Sequence, residues 1–274
     1  MTIRIGTVDL PDRMERTRYF RELSHLELSA LFAGPLKPGV LAKWGEAAPK
    51  GTIGLVAPWV LTHRQPPKAA RLWDHDASVG DFRDSPLARA ALVQFCDAIK
   101  AVGAGCAVFR SPALFAPSAA NRDQLRRFFG ELATAEAIGA PRVWVPAGLW
   151  EIRTATKLAT ELGVICSFDP LVRAPEEPPE IYYDLDLTTL YLRIAGLGRT
   201  GPIRSAKQED LIALLMEYDG VPATIAFESP ARWADARNLK KLLEGTDTSG
   251  DDDEDDVDDD ADPSAGTADS ASEE

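Results

Sequence analysis

Short runs of branched and aromatic residues recur along the chain, separated by longer stretches whose apolar positions return every three or four residues. The short runs predict strands at Ile3–Val8, Leu26–Phe32, Ile53–Ala57, Cys106–Arg110, Arg142–Pro146, Val164–Phe168, Thr189–Ile194 and Ala223–Glu228. The amphipathic stretches predict helices at Arg13–Leu23, Pro38–Ala47, Leu87–Val102, Asn121–Ile138, Trp150–Leu162, Ala206–Tyr218 and Ala231–Leu243. Ser85-Pro86 starts one of these helices, since proline has no N–H to leave unpaired in a first turn. Gly103, Gly139, Gly163, Gly220 and Gly245 stand just past apolar stripes, where a left-handed residue ends a helix.

Repeated β-then-α units imply parallel strands joined by crossover helices. Eight of them in roughly 245 residues fit a single (β/α)8 barrel of the TIM type. The competing open sheet commonly carries a glycine-rich phosphate loop after its first strand. Here Ile3–Val8 leads into Asp9-Leu10-Pro11-Asp12 instead. The stretch from Thr62 to Leu87 shows no clear period and reads as a long loop after the third strand, of the kind that is usually functional.

Charge divides the chain. Of its 274 residues, those from 246 to 274 hold 14 acidic side chains and no Lys or Arg, so residues 1–245 keep 29 acidic against 30 basic groups. The expected organisation is a barrel over residues 1–245 and a disordered acidic tail over 246–274, because that segment has too little apolar surface to offset chain entropy. A near-neutral barrel gives no electrostatic reason to bind nucleic acid or an anionic membrane, and no apolar run approaches the roughly 20 residues that span a bilayer. Cys96, Cys106 and Cys166 form neither a CxxC motif nor an even set, which fits a cytoplasmic protein without disulfides. HxH, HExxH, GxSxG and P-loop patterns are absent, so no metal or cofactor is expected.

If the barrel is right, chemistry belongs at the C-terminal ends of the strands. Asp9, Trp59 with His63, Arg110, Trp150, Asp169, Arg193 and Glu228 stand there. Plain structural roles compete: Asp9 as a cap for the helix near Arg13, Asp169 before Pro170 as a turn residue, Glu228 as a cap for the last helix, the tryptophans as packing. His63 offers a neutral imidazole for proton transfer and is the candidate catalytic residue. Two strands are interrupted by charge. Alternation puts Glu27 and Ser29 opposite Leu26 and Leu28, and Tyr191 and Arg193 opposite Leu190, Leu192 and Ile194. The aliphatic faces suit the helix layer, so Glu27, Tyr191 and Arg193 should point to the barrel axis. They would form either an internal ion pair or the floor of an anion- or polyol-binding pocket.

Ile3-Arg4-Ile5-Gly6-Thr7, Leu26-Glu27-Leu28-Ser29-Ala30-Leu31-Phe32 with Pro35, Trp44, and Thr62-His63 follow an order that resembles the opening of the DUF72 (YecE-like) family of TIM-barrel proteins. Tyr191-Leu192-Arg193-Ile194-Ala195-Gly196 is similar to that family's Tyr-x-Arg-x-His-Gly strand, and Asp235–Leu243 stands at its final helix. The sequence also departs from the family. Val8-Asp9 replaces Gly-Trp, Ser29 an Asn, Phe109-Arg110-Ser111-Pro112 a Gln-Leu-Pro-Pro segment, Trp144-Val145-Pro146-Ala147 a Glu-x-Arg-His strand, and Glu228-Ser229 a paired Asn motif. The resemblance implies a divergent barrel without an assigned reaction. The residues themselves lead to the expectation that it binds a small anionic or polyhydroxylated molecule through Glu27, Asp169, Tyr191 and Arg193, with His63 available for proton transfer. The alternatives are a non-catalytic module that engages a protein partner through its acidic tail, and a metal-dependent sugar-phosphate isomerase or hydrolase.

Overall fold

The strands read as nearly continuous apolar runs because both of their faces are covered, one by helices and one by the opposite wall of a barrel. The computed structural model describes residues 2–68, 73–173, 178–195 and 201–246. Its eight strands are β1 (Ile3–Val8), β2 (His25–Leu28), β3 (Ile53–Val56), β4 (Cys106–Arg110), β5 (Arg142–Val145), β6 (Ile165–Phe168), β7 (Leu190–Ile194) and β8 (Ala223–Phe227). All pair in parallel with their sequence neighbours, and β8 returns to β1 to close the barrel. Around them lie α1 (Arg16–Glu22), α2 (Ala30–Ala33), α3 (Pro38–Ala47), α4 (Trp59–Thr62), α5 (Pro86–Val102), α6 (Ala119–Arg127), α7 (Ala135–Ile138), α8 (Ile152–Glu161), α9 (Ser205–Glu217) and α10 (Arg232–Thr246). The expected barrel is therefore present, and no helix among the described residues is long and apolar enough to cross a membrane. The acidic segment beyond Thr246, together with Gly196, lies outside the described residues.

Three local expectations need correction. The second strand stops at Leu28 rather than Phe32, because the backbone N–H of Ser29 is taken by the Asp9 carboxylate at 2.8 Å and Ser29 turns helical to start α2. The helix expected over Asn121–Ile138 breaks into α6, a π-helical turn at Phe128–Leu132, and α7. The wide turn buries the consecutive rings Phe128 and Phe129 together. Arg142 then donates from its guanidinium to the carbonyls of Phe129, Ala133, Leu162 and Gly163, satisfying two helix ends at once. Gly245 lies inside α10 instead of after it, whereas Gly103 and Gly139 do adopt the left-handed conformation at helix ends.

The long loop expected from Thr62 to Leu87 does separate α4 from α5, the described residues between them carrying neither helix nor strand, and its later part is tied back onto α4. Trp59, Val60, Leu61 and Thr62 form the buried helix α4. Backbone N–H groups of Gly80, Asp81 and Phe82 then donate to the carbonyls of Val60, Thr62 and Leu61. Phe82 is fully buried against Phe115, Phe128 and Phe129. Gly80 has φ +82°, and a Cβ there would lie 2.3 Å from the His63 carbonyl oxygen, so glycine lets the returning segment close on α4. The strap fixes the backbone at His63, which ends α4.

Candidate functional site

Strand alternation turns one set of side chains toward the axis, and the pairing registers sort them by height, rising one residue per strand around a barrel of this shear. The lowest tier is His25, Cys106, Ile165 and Thr224. Above it come Gly6, Gly54, Val143 and Tyr191, then Glu27, Val108, Ser167 and Ala226, then Val8, Val56, Val145 and Arg193. The mouth is ringed by Ser29, Arg110, Asp169 and Glu228. Small residues stand opposite large ones. A Cβ on Gly54 would meet Cys106 Sγ at 2.9 Å, His25 Cε1 at 3.3 Å and the Tyr191 hydroxyl at 3.4 Å, so the missing side chain makes room for those polar groups.

A hydrogen-bonded column rises through these tiers. His25 Nε2 lies 3.1 Å from the Tyr191 hydroxyl, which donates to Glu27 Oε2 at 3.0 Å. Glu27 Oε1 accepts from Arg193 Nε at 2.9 Å, and Arg193 Nη1 meets Glu228 Oε2 at 2.6 Å. The expected inward turn of Glu27, Tyr191 and Arg193 is thus what the structure shows. Glu27 is fully buried and the Arg193 side chain is only 7% exposed, whereas Glu228 is 35% exposed. Burial, then the Glu27 charge, holds the Tyr191 phenol well above its usual pKa, so it remains a donor to the carboxylate. The same two causes push the Cys106 thiol up to about 12, which keeps it uncharged beside the column.

One donor on this column is left over. Among the described residues Arg193 Nη2, which is buried, has no hydrogen-bond partner, and Ser167 Oγ, one tier below, is in the same position. An unmet guanidinium donor in a protein interior loses its hydration without compensation, so its persistence needs an explanation.

The remaining rim groups divide. Arg110 reaches toward Glu228 Oε1 at 3.9 Å and lies over the Phe32 ring at 5.5 Å. Glu228 is a partner of two arginines, not a helix cap; near α10 it is Ser229 that hydrogen-bonds Asp235. Asp9 does not cap α1 either. It adopts φ +57°, and its carboxylate takes both the N–H and the hydroxyl of Ser29, tying the ends of β1 and β2. Asp169 accepts from the backbone N–H groups of Leu171 at 2.9 Å and Ala195 at 2.8 Å, which is the work of a turn residue on the rim. Burial raises its pKa against those two bonds, with Glu228 adding to the rise. Trp59 and Trp150 are packing residues, the first fully buried and the second donating to the Phe115 carbonyl at 2.6 Å.

His63 stands beside this group but faces elsewhere. Its ring packs edge-on against Phe32 at 5.1 Å, and Nδ1 is 2.7 Å from Thr62 Oγ1. It lines a separate cavity of about 500 Å³ with Asp81, Pro112, Leu114, Phe115 and Asn121. Burial, helped by Arg110, lowers its pKa to about 4, so the imidazole is neutral near pH 7. Glu27, Tyr191 and Arg193 therefore converge, while His63 meets them only across Phe32 and Arg110. The sequence reading missed His25, Cys106 and Ser167. Alternation from Glu27 could have found His25, two positions earlier on the same face.

Burial also lowers His25 to about 3, with Arg4 as a lesser cause. Both histidines have folded pKa values below 6.5, so the unfolded chain takes up their protons first as the pH falls. Stability is then expected to drop between pH 6.5 and 4, at about 1.4 kcal/mol per pH unit from His25 alone. Urea midpoints at pH 7 and pH 5 check this. His25→Gln should flatten the dependence, and an equal slope in both proteins would remove the histidine from the account.

Among the described residues, no cluster of three or more His, Cys, Asp or Glu side chains has the arrangement of a metal site. No family model and no curated protein sequence matches the chain. Its fold does have solved counterparts. A DUF72 family protein from Enterococcus faecalis superposes with a TM-score of 0.63 at 13% identity, over 94% of this chain and 100% of its own. A DUF72 family protein from Thermotoga maritima gives 0.60 at 12%, over 89% and 100%. A 3-keto-D-glucoside 4-epimerase from E. coli gives 0.53 at 13%, over 89% and 99%. The likeness read from the strand motifs thus extends to the whole barrel, as a likeness of fold.

Proposed function

We propose that this chain, a divergent barrel of the DUF72 fold, binds a small anionic or polyhydroxylated molecule at the C-terminal mouth of its strands. Arg193 is the central donor. The observation that carries the reading is its buried Nη2 group, which has no partner among the described residues although Nε and Nη1 are held by Glu27 and Glu228. Glu27 orients the guanidinium, Tyr191 orients Glu27, and Arg110, Asp169 and Glu228 ring the entrance. Because Nη2 is closed off from solvent, the ligand reaches it when the one-third-exposed side chain of Arg110 moves aside.

His63 enters as a neutral hydrogen-bonding group. A base with a pKa of about 4 has little driving force to take a proton at neutral pH. The binding unit is the barrel of residues 1–245, and the acidic segment 246–274 supplies no residue to it. Titration calorimetry of the full chain with inorganic phosphate, citrate, xylitol and D-glucose tests the proposal. At least one probe should bind saturably and weaken about tenfold or more in Arg193→Lys, which keeps the charge but loses the planar fork. Binding by none of the probes, or equal affinity in Arg193→Lys, would overturn it. Deleting residues 247–274 should leave the titration unchanged.

A further inference from the structure

The charges at the mouth select between the two ligand classes. Among the described residues, Arg193 and Arg110 are the cationic groups there, and they face Glu27 and Glu228 directly. Asp169 and Asp9 stand on or beside the same rim, close enough that Asp169 feels the Glu228 charge and Arg110 feels that of Asp9. His63 adds no positive charge near pH 7. The described residues of the rim therefore carry no excess of positive charge, and the charge of Arg193 is already met by two carboxylates, at 2.9 and 2.6 Å. An incoming phosphate or carboxylate would gain one guanidinium N–H group and confront Glu228 and Glu27 at close range, where like charges repel strongly in a poorly hydrated site. A neutral oxygen meets no such opposition. It can accept from Arg193 Nη2 while its own hydroxyl donates a hydrogen bond to Glu228, and Ser167 adds a buried hydroxyl, without a partner among the described residues, one tier below.

Resting on the proposed binding site, we infer that its ligand is a neutral polyhydroxylated molecule, bound through adjacent hydroxyls by the Arg193–Glu228 donor–acceptor pair, and that Glu228 is the residue that excludes anions. Arg193 supplies the N–H that an alcohol oxygen accepts. Glu228 supplies the acceptor for the alcohol proton, and its charge turns away a phosphorylated analogue of the same molecule.

The test compares xylitol and D-glucose with inorganic phosphate and glucose 6-phosphate, by titration calorimetry and saturation-transfer NMR on the full chain and on Glu228→Gln. Glu228 lies on the rim and one third exposed, so this isosteric change leaves the interior bonds of Glu27 to Arg193 and Tyr191 in place. In the wild type a neutral probe should bind and glucose 6-phosphate should not. In Glu228→Gln the neutral probe should weaken about tenfold, the loss expected for one hydrogen bond to a charged group, and the phosphate probes should gain. Tighter wild-type binding of phosphate or glucose 6-phosphate would overturn the ligand class and leave the binding site standing. No saturable binding of any probe, in either protein, would end both.

Discussion

Glu27→Ala is expected to destabilise the barrel by about 3–5 kcal/mol, the loss seen when one member of a buried ion pair is removed and the other stays behind. The carboxylate is fully buried, holds Arg193 Nε, and accepts a hydrogen bond from the Tyr191 hydroxyl. Without it the guanidinium keeps only Glu228 at the rim, and the Tyr191 hydroxyl faces His25 with no carboxylate above. Domains of this kind carry a total stability of about 5–15 kcal/mol, so the variant should show a much lower urea midpoint or accumulate in the insoluble fraction. A midpoint within about 1 kcal/mol of wild type would mean that the pair contributes nothing to the fold. Replacing both residues with apolar ones of similar size, Glu27→Leu with Arg193→Met, should recover most of the loss, because no charge is then left alone.

The second large effect is expected at Gly6. A Cβ at this position would lie 1.7 Å from the His25 carbonyl oxygen and 2.4 Å from its carbonyl carbon. These are main-chain atoms, so no side-chain rotation relieves the clash; β1 and β2 must separate where Gly6 pairs with His25. That pairing also sets the height of Glu27 against Val8 and the contact of Asp9 with Ser29. Gly6→Ala should therefore fail to accumulate as folded protein, with a loss above about 4 kcal/mol, beyond the range of ordinary point mutations. Near-wild-type thermal unfolding of Gly6→Ala would show that the two strands do not approach as described.

The barrel was legible because its signals are local and repeated. Ile3–Val8 and Cys106–Arg110 begin and end where their apolar runs do, and Pro38–Ala47 where its amphipathic stretch does. Boundaries went astray where a distant group decides them. Ser29 leaves β2 because Asp9 claims its N–H from another strand, and α6 ends where two buried rings and Arg142 impose a wide turn. Alternation likewise showed that Glu27, Tyr191 and Arg193 share the axis, since period two needs no tertiary knowledge.

What alternation could not supply was height. The partnership of Glu228 with Arg193, and the separation of His63 from both, follow from barrel shear and from the strap formed by Gly80, Asp81 and Phe82. Neither is written in any single segment. His25 passed unnoticed because it sits at the start of its strand, ahead of the run that identified it.

The central claim is that Glu27 and Arg193 act as one unit on the barrel axis, and a double-mutant cycle on stability measures this most directly. With Glu27→Leu, Arg193→Met and the double variant, each single change should cost about 3 kcal/mol or more. The double change should cost less than either, giving a coupling of about 3 kcal/mol or more. Losses that simply add would contradict the account.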